Sequence, residues 1–104
     1  MNFRLRTTAK TATILKNLHA STGLTPNYLA RIAIALSLQN PSQPEMVKGE
    51  SAGLEFNRNT LTGEFDQQYK FLIIMHANKA ITEEEYFPDL FNAHLERGVK
   101  LLEA

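Results

Sequence analysis

The sequence predicts a mainly α-helical protein that opens with one short β-strand and has a short hairpin or loop in its middle. Three observations support this fold class. Apolar and polar residues alternate over the first six positions, which is the period of a strand. Four later segments repeat apolar residues at helical spacing, with turn-forming residues between them. The 104 residues have the length of one domain, which we place at 1–104.

The predicted strand lies at the N-terminus. Phe3 and Leu5 fall on one face of it, and Asn2, Arg4 and Arg6 fall on the other. We therefore expect the two apolar side chains to face the core and the two arginines to face outward.

Two helices follow the strand. The first has three apolar positions, Ile14, Leu15 and Leu18. Gly23 stands where a helix commonly ends with a left-handed residue. Thr25 followed by Pro26 begins the next helix, since threonine caps helices and proline fits their first position.

The second helix is apolar on more than one side. Its first apolar stripe consists of Leu29, Ile32, Ala33 and Leu36. Four more apolar residues lie off that stripe: Ala30, Ile34, Ala35 and Leu38. Because such a helix is buried on several sides, we predict that a second subunit covers one of them, in a homo-oligomer that is a tetramer or, failing that, a dimer. Strand, helix, Gly-Leu-Thr corner and helix resemble a ribbon-helix-helix unit, in which strands from two chains pair.

The middle of the chain is predicted to be irregular. Residues 39–48 contain Pro41 and Pro44 and form a loop, and residues 50–64 fit a small hairpin or an ordered loop. A third helix is predicted from Asp66 to about Ala80, because apolar residues recur at helical spacing along it. Its stripe is broadened by three further apolar residues, which places this helix at the centre of the core: Phe71, Ile74 and Met75.

The last helix is predicted from Pro88 to about Leu102. Before it, Thr82 and Glu85 have the spacing of a capping box, which indicates a short helical turn.

Charge divides the chain into two halves. Residues 1–44 contain no Asp or Glu, and their five basic residues are Arg4, Arg6, Lys10, Lys16 and Arg31. Residues 45–104 contain all eleven acidic residues and the other six basic residues. This asymmetry indicates a basic surface for a polyanion beside an acidic remainder. The alternative is a scatter of solvated charges.

The basic half contains the residue types that bind phosphate groups. Lysine, arginine, hydroxyl groups and the free N–H groups of helix N-termini all make such contacts. Thr7, Thr8 and Thr11 lie with Lys10 at the predicted start of the first helix. The candidate DNA contacts are Arg4, Arg6, Lys10, Lys16, Thr25, Asn27 and Arg31. Plain capping also explains Thr25, and a solvated helix face also explains Lys10, Lys16 and Arg31.

Candidate catalytic groups are sparse. Cysteine is absent, and His19, His76 and His94 fall on three different predicted helices without metal-ligand spacing. No glycine loop for phosphate and no nucleophile–base spacing is present. We therefore predict no enzyme activity, no cofactor and no metal. No apolar run approaches a membrane span and no signal-peptide core follows the basic N-terminus, so we expect a cytoplasmic protein.

The chain resembles the DndE family of bacterial DNA phosphorothioation proteins over essentially its whole length. Three stretches carry the resemblance: FRLRTTAKTATILKNLHASTGLTPNYLARIAIALSL, GLEFNRNTLTGE and LFNAHLERGVKLL. It implies a small, helical, tetrameric subunit that binds duplex DNA, with nicked duplex favoured. It also implies partner proteins that supply sulfur and ATP chemistry to a system in which sulfur replaces a non-bridging phosphate oxygen.

Two other functions are alternatives to a DNA-binding subunit of the phosphorothioation system. A ribbon-helix-helix repressor or antitoxin would read a palindromic operator, and a scaffold would bind only proteins. A repressor should prefer one DNA sequence by a large factor, whereas the modification subunit should respond to salt and to DNA structure. The scaffold should bind no duplex at all.

Overall fold

The computed structural model describes residues 3–48 and 52–103. Strands and helices alternate irregularly along this part of the chain. The regular elements are β1 (Arg4–Arg6), α1 (Ala9–Thr22), α2 (Pro26–Leu38), β2 (Glu55–Asn57), α3 (Arg58–Leu61), α4 (Asp66–Ala77) and α5 (Phe91–Glu103). A 3₁₀ turn (Gly63–Phe65) precedes α4, and a π-helical turn (Glu85–Leu90) precedes α5. The mainly helical fold class predicted from the sequence is confirmed.

The corner between α1 and α2 has the predicted caps. Gly23 has φ +77° and donates its N–H to the carbonyl oxygen of His19, which ends α1. The Thr25 hydroxyl accepts the N–H of Tyr28, and Pro26 occupies the first turn of α2. These caps satisfy helix-end groups that would otherwise have no partner, so local sequence alone sets this corner.

The ribbon is formed within one chain. β1 pairs antiparallel with β2, and Leu5 lies opposite Phe56, with both side chains buried. One edge of β1 is therefore occupied by a strand of its own chain, whereas a ribbon-helix-helix unit pairs strands from two chains. Of the two alternatives for residues 50–64, a hairpin or an ordered loop, the described part, residues 52–64, contains no hairpin, since β2 pairs with β1 and then continues into α3. Residues 50 and 51 lie outside the described residues, as does Asn2.

The centre of the fold is the crossing of α2 and α5. Ala33 and Ile34 of α2 are buried, and so are Leu95 and Val99 of α5. The two backbones approach so closely that a Cβ on Gly98 would overlap the carbonyl oxygen of Ala33. Much of the apolar surface of α2, assigned above to a second subunit, is thus covered by α5 of the same chain.

Helix α4 is not central to the core, contrary to the prediction. Only Ile73 among its residues is fully buried, and the helix ends at Ala77 because Asn78 adopts a left-handed conformation. Asp66 begins α4, but its carboxylate makes no capping hydrogen bond and instead points to other partners. Large apolar side chains along α4 remain exposed to solvent: Phe71, Leu72 and Met75.

The capping box before α5 is confirmed. The Thr82 N–H donates to Glu85 Oε1 at 2.8 Å, and the Glu85 N–H donates to the Thr82 hydroxyl at 3.1 Å. The chain then bends at Phe87, which is extended, and α5 begins at Phe91 rather than at Pro88. No helix in the described residues is both long and apolar enough to cross a membrane.

Candidate nucleic-acid interface

The two strand arginines share one carboxylate. Arg4 Nη1 lies 3.1 Å from Glu55 Oε2, and Arg6 Nη2 lies 3.0 Å from Glu55 Oε1. Glu55 stands across the ribbon from Arg6, so the strand register creates this cluster. All three side chains are exposed, and two positive charges against one negative leave the cluster weakly basic. The arginines lie on the outer face and Leu5 is buried, as the alternation predicted, whereas Phe3 is 49% exposed and does not face the core as predicted.

The N-terminus of α1 is occupied by a carboxylate of the chain itself. Glu96 of α5 accepts hydrogen bonds from the Thr8 N–H, the Thr8 hydroxyl and the Thr11 hydroxyl at 2.5–3.0 Å. The positive end of a helix attracts such an anion. Thr7 is also used internally, since its hydroxyl accepts the Leu54 N–H. These threonines are therefore already hydrogen-bonded within the chain, and Glu96 stands where a phosphate would meet Thr8 and Thr11.

Lys10 and Lys16 are the exposed cations of α1. In residues 3–48 and 52–103 neither lysine makes an ion pair or a side-chain hydrogen bond. Their charges are therefore available to an external anion, which an exposed lysine can bind without breaking a contact in the protein.

The start of α2 lies beside Lys16. An open groove runs between α1 and residues 52–54, and its lining residues are Ala9, Ala12, Lys16, His19, Pro26, Ala52, Gly53 and Leu54. Arg6 reaches the far side of this groove through a hydrogen bond from Nη1 to the Gly53 carbonyl oxygen at 3.3 Å. The structure thus brings Arg6, Lys16 and the start of α2 around one groove.

Thr25 and Asn27 differ in their surroundings. Thr25 is exposed and caps α2, so capping is confirmed as its structural role. Asn27 is half-buried, and its Oδ1 is buried without a hydrogen-bond partner among the described residues. Of these two residues, only Thr25 is well exposed to a ligand.

Arg31 lies apart from the other candidates. Its Nε donates to the Leu61 carbonyl oxygen and its Nη2 to the Thr60 carbonyl oxygen, each at 2.8 Å. These bonds tie α2 to the end of α3, which is a sufficient structural reason for an arginine here. The side chain borders a different groove, between α2 and α4.

A second group of charges is buried around Arg58. Its guanidinium contacts Asp66 at 2.7 Å and Glu83 at 2.6 Å, and it lies 5.1 Å from the ring centroids of Tyr86 and Phe87. Burial by itself would raise the pKa of Asp66, but hydrogen bonds from Arg58, Thr62 and Tyr86 hold it below the ordinary value. Burial, followed by the hydrogen bond to Asp66, raises the pKa of Tyr86. The charges pair with one another, although Arg58 Nη1 is buried without a hydrogen-bond partner among the described residues, and we interpret the cluster as a structural one.

Ser37 and His94 also lie in contact, although their spacing in the sequence did not predict this pair. The Ser37 hydroxyl lies 2.8 Å from His94 Nδ1, and Arg97 Nε donates to the same hydroxyl at 2.8 Å. Arg97 is the donor to the hydroxyl, and the direction of the bond between Ser37 and His94 follows the tautomer of the imidazole ring. Burial, together with the neighbouring His76 and Arg97, lowers the pKa of His94 to about 4. Both Ser37 and His94 are buried, so substrate cannot reach this pair.

The three histidines do not converge. His76 and His94 stack edge to face at 4.7 Å, whereas His19 Nδ1 donates a hydrogen bond to the Leu24 carbonyl oxygen near the α1–α2 corner. Within the described residues no three His, Cys, Asp or Glu side chains are arranged to hold a metal ion.

The family model described as "DNA sulphur modification protein DndE" matches residues 4–104. The chain belongs to the DndE family. It is similar to the crystal structure of DndE from Escherichia coli B7A, which is described as involved in DNA phosphorothioation modification. The identity is 27%, the TM-score is 0.77, and the match covers 98% of this chain and 97% of that one. A DndE G21/24K mutant has the same fold at 23% identity and a TM-score of 0.75, with 99% and 98% covered. No curated protein matches.

Membership of the DndE family confirms the resemblance stated from the sequence. It assigns the chain to the DNA sulphur modification proteins. It does not identify DNA-contact residues, which are therefore inferred from charge and geometry. Sequence reasoning missed two residues that control those charges, Glu55 and Glu96. No local spacing signals them, because each meets its partners across about 50 or more residues of chain.

Proposed function

We propose that this DndE-family chain is a non-catalytic DNA-binding subunit of the phosphorothioation machinery and holds duplex DNA mainly through its backbone phosphates. The observation that carries the proposal is the pair of exposed lysines on α1, Lys10 and Lys16, which have no anionic partner among the described residues. The strand arginines add positive charge beside them despite sharing Glu55. Contacts of this kind neutralise phosphates and carry little sequence information.

The candidate contacts do not contribute equally to this proposal. Lys10 and Lys16 are the primary phosphate contacts, and Arg4 and Arg6 become contacts when phosphate competes with Glu55. Thr25 can add a hydroxyl at the start of α2, and Asn27 is a weaker candidate because it is half-buried. Arg31 is the weakest, since carbonyl oxygens of α3 already hold its guanidinium.

The proposal also covers the favoured DNA ligand, the partner proteins, the oligomeric state and the cellular location. Nicked duplex as the favoured ligand rests on the family resemblance alone. Sulfur delivery and ATP chemistry belong to partner proteins, which agrees with the lack of cysteine in this chain. We propose a homotetramer in the cytoplasm, where the DNA substrate lies. Support for self-assembly comes from the exposed apolar side chains of α4.

The test is a binding titration with fluorescent duplexes of three kinds: intact, nicked and operator-like. Each titration is repeated at several salt concentrations. We expect affinity to fall steeply with salt, with a log–log slope of about −0.9 per neutralised phosphate. Lys10→Ala with Lys16→Ala should weaken binding to all three duplexes alike and make the slope shallower by roughly one unit per lost contact.

Matched controls come from lysines with acidic neighbours. Lys70 pairs with Glu83 at 2.8 Å, and Lys100 borders the same depression as Glu45 and Glu96. Lys70→Ala with Lys100→Ala should change the slope less. If only this control pair changes it, the assignment of DNA to α1 is wrong. Absence of binding at low salt would favour the scaffold, and a large preference for one sequence would favour the repressor.

A further inference from the structure

The open groove between α1 and residues 52–54 combines apolar walls with a positively charged rim. Its volume is about 460 Å³, and four of its lining residues have apolar side chains: Ala9, Ala12, Pro26 and Leu54. Leu54 is half-buried and packs against the hydrophobic core, so this wall is a fixed part of the fold. Lys16 lines the α1 side of the same groove. A ligand here would therefore contact hydrocarbon groups and a cation at the same time.

The backbone on the 52–54 side of the groove is hydrogen-bonded within the chain. The Gly53 N–H donates to the Thr7 carbonyl oxygen at 2.8 Å, and the Leu54 N–H donates to the Thr7 hydroxyl at 3.0 Å. The contact is so close that a Cβ on Gly53 would lie 2.3 Å from the Thr7 hydroxyl oxygen. Since both N–H groups are already used, this wall offers neither of them to the oxygen of a phosphate group.

The rim of the groove carries the charge that an anion needs. Lys16 is exposed and makes no ion pair within residues 3–48 and 52–103. Arg6 reaches the opposite side through its hydrogen bond to the Gly53 carbonyl oxygen. The two cations attract a DNA phosphate, and the apolar walls favour a group on it that is less polar than oxygen.

A phosphorothioate has the two properties that this groove selects. It keeps the negative charge of a phosphate, but sulfur replaces one of the two non-bridging oxygens. Sulfur is polarisable and accepts hydrogen bonds weakly, so it loses little on leaving water for an apolar wall. A phosphate oxygen in the same place would lose strong hydrogen bonds to water. The chain belongs to a family of DNA sulphur modification proteins, so sulfur-containing DNA is a product of its own system.

We propose that this groove binds the phosphorothioate group of modified DNA, with the remaining oxygen at Lys16 and the sulfur against Ala12 and Leu54. The inference rests on the proposed function, because it needs the DNA backbone to lie along α1. It adds a preference of that surface for modified over unmodified DNA. The subunit then binds the product of the modification more tightly than the substrate.

Titrations with three duplexes of one sequence test this preference. One duplex is unmodified, and in the other two every linkage of one strand is a phosphorothioate, either all Rp or all Sp. We expect one configuration to bind roughly 10-fold more tightly than the unmodified duplex, the lower end of what one added apolar group gives in an apolar site. The other configuration points oxygen at the apolar wall and should gain nothing. The salt slopes should be equal, because the charge is the same.

A change in the wall tests the position of the sulfur. Ala12→Ser adds a hydroxyl that suits oxygen better than sulfur, and it should reduce the preference from roughly 10-fold to roughly 1-fold. Ala20→Ser is the matched control, since it is the same change at an exposed position of α1 outside this groove, and it should keep the preference. Circular dichroism during thermal unfolding shows whether each variant is folded, and sedimentation equilibrium gives its mass.

The outcomes separate this inference from the proposed function. A preference for one configuration that is lost in Ala12→Ser and kept in Ala20→Ser supports it. Equal affinity for all three duplexes overturns it and leaves the DNA-binding proposal standing. An equal gain for both configurations, or a preference that survives Ala12→Ser, also overturns it, because the sulfur then has no defined place in this groove. A changed mass for Ala12→Ser alone overturns it in favour of a second copy in the groove. No binding of any duplex at low salt overturns both proposals.

Discussion

The lysines of α1 and the arginine that begins α3 show two opposite uses of positive charge. Lys10 and Lys16 are exposed and have no partner among the described residues, whereas Arg58 is buried between two carboxylates and two aromatic rings. An exposed cation contributes little to folding and remains available to a ligand. A buried one is bound within the fold, and its loss leaves other charges unpaired. Charge alone therefore does not identify a binding surface, and the surroundings of each cation have to be known.

Arg58→Met is expected to have the largest effect on stability. It removes the cation of Asp66 and Glu83 and should lower the free energy of unfolding by roughly 3–5 kcal/mol. Urea unfolding followed by circular dichroism measures the loss. Lys16→Met is the matched control and should stay within about 0.5 kcal/mol of the wild type. If the two variants were equally stable, the contrast between buried and exposed cations would not hold.

Acid should destabilise the protein through His94. Its pKa is about 4 in the folded protein against an ordinary 6.5, so the unfolded chain binds a proton that the folded chain does not. This contribution to stability is present above pH 6.5 and is lost as the pH falls toward 4. Between pH 7 and 5 the loss should be about 2 kcal/mol.

The control for this pH effect is His94→Gln, which has no titrating ring and whose amide oxygen can accept the Ser37 hydroxyl. Urea titrations of both proteins at pH 7 and 5 give the comparison. The variant should show a smaller fall in stability on acidification. An equal fall would assign the effect to other groups.

Glu96→Gln removes the negative charge that lies at the N-terminus of α1. Loss of the charge should cost roughly 1–2 kcal/mol of stability, because hydrogen bonds to a charged group and the helix dipole both weaken. The same change should strengthen binding to every duplex slightly, since a negative charge near Lys10 is removed. Thermal unfolding and the salt titration measure the two effects, and weaker DNA binding by a folded variant would contradict the expectation.

Glu55→Gln should have the smallest effect. Its ion pairs with Arg4 and Arg6 are exposed, and such pairs contribute at most about 1 kcal/mol. Stability should hardly change, while DNA affinity should rise because two arginines lose a competing carboxylate. Asp89→Asn, another exposed acidic residue, is a control for overall charge. Equal gains in the two variants would show that only net charge matters.

Local signals allowed the helices and their caps to be predicted from the sequence. Gly23, Thr25 and the Thr82–Glu85 box act on groups within a few residues, so their spacing is sufficient. The partner of β1 was not predicted, because β2 lies 50 residues away and its three residues give a weak strand pattern. Glu55 and Glu96 were missed for the same reason.

The error at α4 has a different physical cause. Apolar periodicity predicts that a residue avoids water, and does not tell whether its own chain or another molecule covers it. Phe71 and Met75 matched the pattern of a core helix and yet lie exposed. Of the candidate contacts, Lys10 and Lys16 are exposed as expected, whereas Arg31 contacts carbonyl groups that the sequence could not place beside it.

The close crossing of Gly98 and Ala33 also bears on how the protein folds during synthesis. Helix α2 is made more than fifty residues before α5, so the side of α2 that packs against α5 has no cover until Gly98 has left the ribosome. Contacts this distant in sequence slow folding relative to helical proteins with local contacts. The nascent first half therefore exposes an apolar helix for several seconds at ordinary elongation rates of about 5–20 residues per second. During that interval, chaperones have a target that the finished molecule no longer presents.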